Sequence, residues 1–596
     1  MFYNMKKNKF YLGITLGSLF MAGIMTACKE EFLELDPIGA YSESSLTNKK
    51  GVEGMLIATY AALDGRPETQ ATGSTNWIMG SVAADDANKG SEAADFNTIN
   101  PIELYQQTPS NVVINDKWRG AVDGIGMANQ VLRTLKLITD ASAADAARIE
   151  GEARFLRAFF HMEGKKVFDK GFPWIPETAV TNEDYKAITN QADIWPQIEA
   201  DFRFAMENLP PTQADRGRAN KWAAAAFLGK ALIYQKKYAE ALTILKDVMA
   251  NGTNAQGTKY ALNPNYGANF RVATKNSAET VFVIQYAIND GAGNNSNANY
   301  EQNLNFPHGG SGDRPGGCCG FFQPSQALVN SYMTDAATGL PRRTPYATNG
   351  VTSDYQRTSS QPFTPYAGTL DPRLDHTVGR RGIQYLDWGA HPGRNWIRDI
   401  NNGGPYSPKK NVHSRAELTG GSAGTGSWGQ PANALSFPVM RYADVILLTA
   451  EAEAQAGSLS NATDLVNIVR ERAGSQETIE GIYMVGSNTE GPVANYKVGL
   501  YTTPFASKDA AMTAIMEERR LELAMEGHRK FDLVRWGIAA QTLNAYASFE
   551  KTYVPKFTNA QFSANQDEFM PVPELVINTS RLSSGQFNLK QNEGYQ

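Results

Sequence analysis

Two stretches far apart in the chain repeat one design, and that repetition restricts the fold more than any single motif. Ala219 to Ala250 reads as two helices joined by a short turn, WAAAAFLGKALIYQKKYAEALTILKDVMA. The small residues of the first helix let the second approach closely. Tyr442 to Ala456 is again helical, Gly457 to Ser460 is a turn, and Asn461 to Arg472 returns as a helix. Between and before them lie further helices. Ile149 to Phe168 places Phe155, Ala158, Phe159 and Met162 on one face at helical spacing. Ile194 to Leu209 stops at Pro210-Pro211. Recurrent helix–turn–helix pairs imply stacked repeats, and their uneven spacing excludes a uniform solenoid.

Lys237 to Leu242 has the turn and first face of a tetratricopeptide-like second helix. Residues 251–435 break the helical pattern with Gly, Asn, Pro, Ser and aromatics. Thr280 to Tyr286 (TVFVIQY) reads as an isolated strand, whereas GAGNNSNANY, GGSGDRPGGCCGFF and TGGSAGTGSWGQ read as loops. A structureless insertion of this length is foreign to a compact domain, so an ordered cap on a rigid frame is expected. The predicted fold is therefore mainly α, a tetratricopeptide-like helical-repeat frame with an irregular loop-rich cap containing a few short strands. Its divisions are 1–27 as leader, 28–45 as tether, 46–250 and 436–596 as helical halves, and 251–435 as ligand-binding cap. Residues 46–596 are expected to form one unit.

The leader begins with Lys6, Lys7 and Lys9, runs apolar from Phe10 to Met25, and closes on Thr26-Ala27-Cys28. That order is a secretion signal, too short to span a bilayer. A cysteine directly after small residues resembles a bacterial lipoprotein signal, with cleavage before Cys28 and lipidation of Cys28; Met25 stands where Leu is usual. Cleavage removes three Lys and takes the formal net charge from −5 to −8. An acidic chain argues against nucleic acid, which is held mostly by Lys and Arg. Three cysteines, one of them the lipid site, exclude a disulfide-built scaffold.

Four segments together resemble the SusD/RagB family of outer-membrane nutrient-binding lipoproteins. They are Glu152-Ala153-Arg154-Phe155-Leu156-Arg157-Ala158; Arg441-Tyr442-Ala443-Asp444 through Leu448, with Glu451-Ala452 and Arg470-Glu471-Arg472-Ala473-Gly474; Glu517-Glu518-Arg519-Arg520-Leu521-Glu522 through Arg529, continuing as Phe531-Asp532-Leu533-Val534-Arg535-Trp536-Gly537; and Met570-Pro571-Val572-Pro573-Glu574 with Gln591-Asn592-Glu593-Gly594-Tyr595. Phe32-Leu33-Glu34-Leu35-Asp36-Pro37 also fits. The departures are His528 and Lys530 near a usual aromatic, and an enlarged loop from about Gln476 to Phe505. The resemblance implies a lipid-anchored protein on the outer-membrane surface, where Lys29-Glu30-Glu31 resembles the export tag. It implies capture of oligosaccharides or peptides for a SusC-like TonB-dependent barrel, without covalent chemistry or cofactor.

Carboxylates interleaved with arginines at 517–535 read as structural ion pairs rather than as the acid and base of a glycosidase. Arg529, Asp532 and Arg535 are expected to pin helices to their neighbours. Gly420 to Gly424 has nucleophile-elbow spacing and Gly424 to Gly429 dinucleotide-fingerprint spacing, both without the strand–turn–helix context they need. The six histidines show no metal spacing, and Asp85-Asp86 with Asn88 reads as a solvated loop before it reads as a calcium site. Sugars stack on aromatic rings and give their hydroxyls to amides and acids. Trp118, Trp195, Trp222 and Trp536 fall in helical patterns, and Trp174 in a turn; Trp77, Trp388, Trp396 and Trp428 fall in Gly/Asn-rich loops and are ligand candidates. The resemblance adds a loop with Asn76, Trp77 and Asp85, and another from Tyr300 to Phe322 containing Cys318, Cys319 and Phe321. A bond between Cys318 and Cys319 is possible after export, and with Phe321 it is expected to form part of the ligand platform. Glycan capture is the leading function. A peptide-binding member of the same family and a surface hydrolase are the alternatives.

Overall fold

The computed structural model describes residues 46–66, 69–309, 314–426, 429–482 and 494–595. The leader, Cys28, the tether and Trp428 lie outside the described residues.

The helical frame opens with α1 (Lys49–Ala61), α2 (Val112–Leu135), α3 (Ala143–Phe168), the short α4 (Asn182–Ala187), α5 (Trp195–Asn208), α6 (Lys221–Tyr234) and α7 (Tyr238–Asn251). It resumes with α8 (Tyr442–Ala456), α9 (Leu459–Ala473), α10 (Lys508–Leu523), α11 (Arg529–Arg535), α12 (Ala539–Glu550) and α13 (Glu574–Thr579). Helix starts follow local chemistry. The side chains of Asn111, Ser142, Asn220, Ser458 and Ser507 each accept a backbone N–H of the first turn of the helix that follows. Successive helices pack on one another from α2 through α3, α5, α6 and α7. Gly229 lets α7 close on α6, since a Cβ there would lie 2.5 Å from Leu245 Cδ2. The stack does not end at the cap: α7 packs directly on α8, which packs on α9 and α10.

The centre of the frame is aromatic. Phe155 and Phe159 of α3 and Phe227 of α6 meet Phe282, and Phe202 of α5 meets Phe155 and Phe227, with centroids 4.9–5.9 Å apart and mostly edge to face. Phe282 belongs to β2 (Thr280–Ile284), so the expected strand forms, with Val281 through Ile284 all buried. Four further strands matter here: β1 (Ala87–Gly90), β3 (Phe321–Pro324), and the hairpin β4 (Ala423–Thr425) and β5 (Pro431–Asn433). A fifth, β6 (Phe437–Arg441), pairs antiparallel with β2, with Ile284 opposite Phe437, and leads straight into α8. β1 pairs antiparallel with β3, Gly90 opposite Phe321. That pairing brings a loop from the first hundred residues against the loop that carries Cys318 and Cys319. The cap has a core of its own, formed by Phe306, Tyr385, Leu386, Trp388, Trp396 and Val412.

Candidate functional site

Most aromatics expected to meet ligand are interior. Trp77 is 1% exposed; its indole N–H donates to the Gln70 carbonyl (3.1 Å), and its ring meets Phe321 and Phe322 edge to face. Phe321 is equally buried. Asn76 is buried and donates to Glu163 (2.7 Å). Trp388 gives its N–H to the His413 carbonyl (3.0 Å), and Trp396 packs on Tyr385 and His391 in the cap core. These five expectations are corrected: long loops need an apolar interior of their own, which the four rings fill, while Asn76 is turned inward to Glu163. Asp85 is corrected too. It is fully buried, with Arg520 at 2.9 Å and Arg529 at 2.7 Å. Burial pushes its carboxyl up, but these two guanidinium groups outweigh that and hold it below the usual range. Cys318 and Cys319 are bonded to each other; Cys319 is buried and Cys318 half-buried. Tyr300 is half-buried, with its hydroxyl donating to the Asn294 carbonyl.

A groove of about 410 Å³ opens where the end of α1, the turn before α6 and the loop after β2 converge. That is the size range of small-molecule sites. Ile57, Leu63, Val283 and Ile284 line it with apolar surface, Ile57 being 56% exposed. Asp64, Arg216, Arg218, Gln285 and Asn297 supply polar groups. Arg218 is fixed by Asp215 (3.0 Å), Glu152 (3.3 Å) and Glu53 (3.5 Å). Gln285 exchanges two amide hydrogen bonds with Asn276 (3.1 and 2.6 Å), and Asn297 donates to Asp290 (2.7 Å). Arg216 is exposed at the rim. Tyr60, also lining the groove, donates to Glu152 (2.7 Å) and accepts from Ala219 N–H (2.9 Å).

Burial, with the Glu301 carboxyl nearby, pushes Asp64 up to about 8, so near neutral pH it carries its proton and can donate. Burial pushes Glu301 up to about 7, although Lys117 and a hydrogen bond from Thr75 N–H (3.0 Å) oppose it. The hydroxyl of Tyr286, in the same cluster, is buried without a hydrogen-bond partner among the described residues. The arrangement is that of a binding groove: an apolar floor, a ring of fixed donors and acceptors, and one protonated acid.

A family model described as "SusD family" matches residues 278–595, more than half of the chain. The chain belongs to the SusD family. A second model, described as "Starch-binding associating with outer membrane", matches residues 31–234 of this SusD-family protein. Among curated relatives, SusD-like protein P25 of Formosa agariphila is 24% identical over 590 residues, 94% of this chain and 96% of its own. Among solved structures, a laminarin-binding SusD-like protein superposes with a TM-score of 0.65 at 22% identity, covering 92% of this chain and 100% of its own. Surface glycan-binding protein A of Bacteroides thetaiotaomicron, in complex with laminarihexaose, gives 0.59 at 18% identity, covering 91% and 99%. These likenesses confirm the mainly helical, tetratricopeptide-like fold.

In this SusD-family protein the charged motifs are interior framework. Arg441 contacts Glu279 (2.5 Å), Glu522 (2.8 Å) and Glu526 (2.9 Å). Arg373 holds Asp371, Glu518 and Glu522 at 2.7–2.9 Å, Arg470 holds Glu518, and Arg472 joins Glu279 to Glu522. Arg529 ties α11 to Asp85, Arg535 ties it to Glu451 of α8, and Asp532 faces Arg519. The expected pinning of helices is present. The expected pairing within one helix is mostly replaced by pairing between elements, because both faces of α10 are covered. Sequence reasoning missed Asp64, Arg216, Arg218 and Gln285. The signals available were the Arg-Gly-Arg turn after Pro210-Pro211 and the asparagines at 294–297.

Proposed function

We propose that this protein is a cell-surface glycan-binding lipoprotein, anchored through Cys28, that captures oligosaccharides in the groove between α1 and the β2 loop and passes them unchanged to a SusC-like TonB-dependent barrel. The observation that carries the reading is the groove's division into an apolar floor and a fixed polar rim. A pyranose offers the matching surfaces, a C–H face and a ring of hydroxyls. Ile57 receives the face; Arg216, Gln285 and Asn297 take hydroxyls; protonated Asp64 donates to a sugar oxygen. The laminarin- and laminarihexaose-binding structures sharing this fold support a carbohydrate over a peptide. No step breaks a bond.

The test is calorimetric titration of the mature protein with laminarihexaose, other uncharged oligosaccharides and peptides. Arg216→Ala and Asn297→Ala are each expected to weaken oligosaccharide binding about tenfold, or 1.4 kcal/mol. Affinity is expected to fall as pH rises through about 8, where Asp64 ionises, and to lose that dependence in Asp64→Asn. Binding of peptides with every oligosaccharide failing would end the glycan reading. Release of shortened sugars on prolonged incubation would end the claim of unaltered delivery.

A further inference from the structure

A second groove, about 640 Å³, lies between α2, α4 and α13. Its apolar surface comes from Trp118, Val122, Pro173, Ile175, Ile188 and Val576. Tyr185, 40% exposed, stands beside them. The side-chain amides of Asn182 and Asn578 also face it and make no hydrogen bond among the described residues.

The charges separate this groove from the first. Arg119, Lys186 and Arg581 line it against one acid, Asp123. Asp123 is already taken by the Arg66 guanidinium, at 3.0 Å from Nε and 2.5 Å from Nη2. Arg119 has only a long contact to Asp116 (3.6 Å), and Lys186 pairs with exposed Glu183 (2.7 Å). Arg581 lies 5.9 Å from the centroid of the Phe587 ring and makes no ion pair among the described residues. A basic groove on a chain of net charge −5 is complementary to an anion. A guanidinium free of an ion pair offers a planar fork of donors suited to a carboxylate or sulfate.

One loop joins the linings of the two grooves. Asp64 lines the first, and Arg66, two residues on, reaches into the lining of the second. The same loop rests on α2 at Gly120, where a Cβ would strike the Thr72 carbonyl.

We propose that this groove is a second carbohydrate site, selective for oligosaccharides bearing carboxylate or sulfate groups, which engages the same extended chain as the first groove. The proposal rests on the glycan reading given above. The sugar face lies on Tyr185 and the apolar floor, Asn182 and Asn578 take hydroxyls, and Arg581 takes the anion.

The test uses the mature protein and three probes: a hexagalacturonate, a sulfated galactan hexasaccharide and uncharged laminarihexaose. At least one anionic probe is expected to bind the wild type, with affinity falling as salt rises. Arg581→Gln and Tyr185→Ala, both exposed side chains, are expected to weaken that probe about tenfold and to leave laminarihexaose binding unchanged. Which of the two anionic probes binds assigns carboxylate or sulfate. Failure of both, or their weakening by Arg216→Ala but not by Arg581→Gln, overturns the second site. Loss of laminarihexaose binding alone counts against the first groove and leaves this one standing. Unchanged circular dichroism of each variant shows that the fold is kept.

Discussion

A tryptophan in a glycine-rich loop has two stable fates. It lies open as a platform for a ligand ring, or it becomes the ballast on which the loop folds. Trp77 has taken the second: its N–H is satisfied by a backbone carbonyl, and Phe321 and Phe322 close over it. Trp77→Ala is therefore expected to cost about 3–5 kcal/mol of stability, the range for emptying a large aromatic site. Laminarihexaose affinity of the folded variant should match the wild type. Chemical denaturation and calorimetry measure the two separately; a stable variant that no longer binds sugar would restore Trp77 to the ligand surface. The error has a physical origin. Composition shows that a loop carries aromatics, but whether a ring faces in or out depends on partners such as Phe321, hundreds of residues away. The groove side chains were harder still to read, because Asp64 and Arg216 are ordinary surface types in isolation, and only the approach of β2 gives them a shared cleft.

At the scale of elements, helices were legible and their cross-links were not. Tyr442 to Ala456 is helical over those very residues, and Ile149 to Phe168 lies within α3, because 3.6-residue periodicity is a local signal. The charge-rich run on α10 looked equally local, yet its partners come from β6, from α9 and from Arg373 of the cap. Arg441 shows what this arrangement does. At the end of β6 it faces Glu279 beside β2 and Glu522 on α10, so one guanidinium fixes strand to strand and strand to helix. Burial pushes Glu522 up, and Arg472, Arg441 and Arg373 pull it well below the ordinary range, so it stays charged. Arg441→Met removes one cation and leaves carboxylates buried beside too little positive charge. The expected loss is about 3–5 kcal/mol, seen as a lower denaturant midpoint. A change within about 0.5 kcal/mol, the usual range for surface substitutions, would show that the lattice is not cohesive.

At the scale of the molecule, the 251–435 cap raises the question of whether the two helical stretches behave as one body. Stacked repeats commonly lose cooperativity when an interface between neighbours is weak. Here the junction is made three times over. Helix α7 packs on α8, β2 pairs with β6, and buried Asp444 of α8 accepts from Lys230 of α6 (2.8 Å) and from Arg519 of α10 (2.7 Å). Burial disfavours the Asp444 charge, but Lys230 and Arg519 more than restore it, holding the carboxyl well below its ordinary range. A frame coupled in this way should unfold in one transition, with tryptophan fluorescence and far-ultraviolet circular dichroism tracing the same curve. Asp444→Asn removes the charge that α6 and α10 share and should lower the midpoint of both probes together, about 3–5 kcal/mol being the cost of breaking a buried pair. Two separated transitions in the wild type would mean that the junction does not couple the halves. The same coupling bears on capture: the first groove is built from α1, the 215–218 turn before α6 and the loop after β2, so its walls stay in register only while the helical stack and the strand pair across the cap hold together.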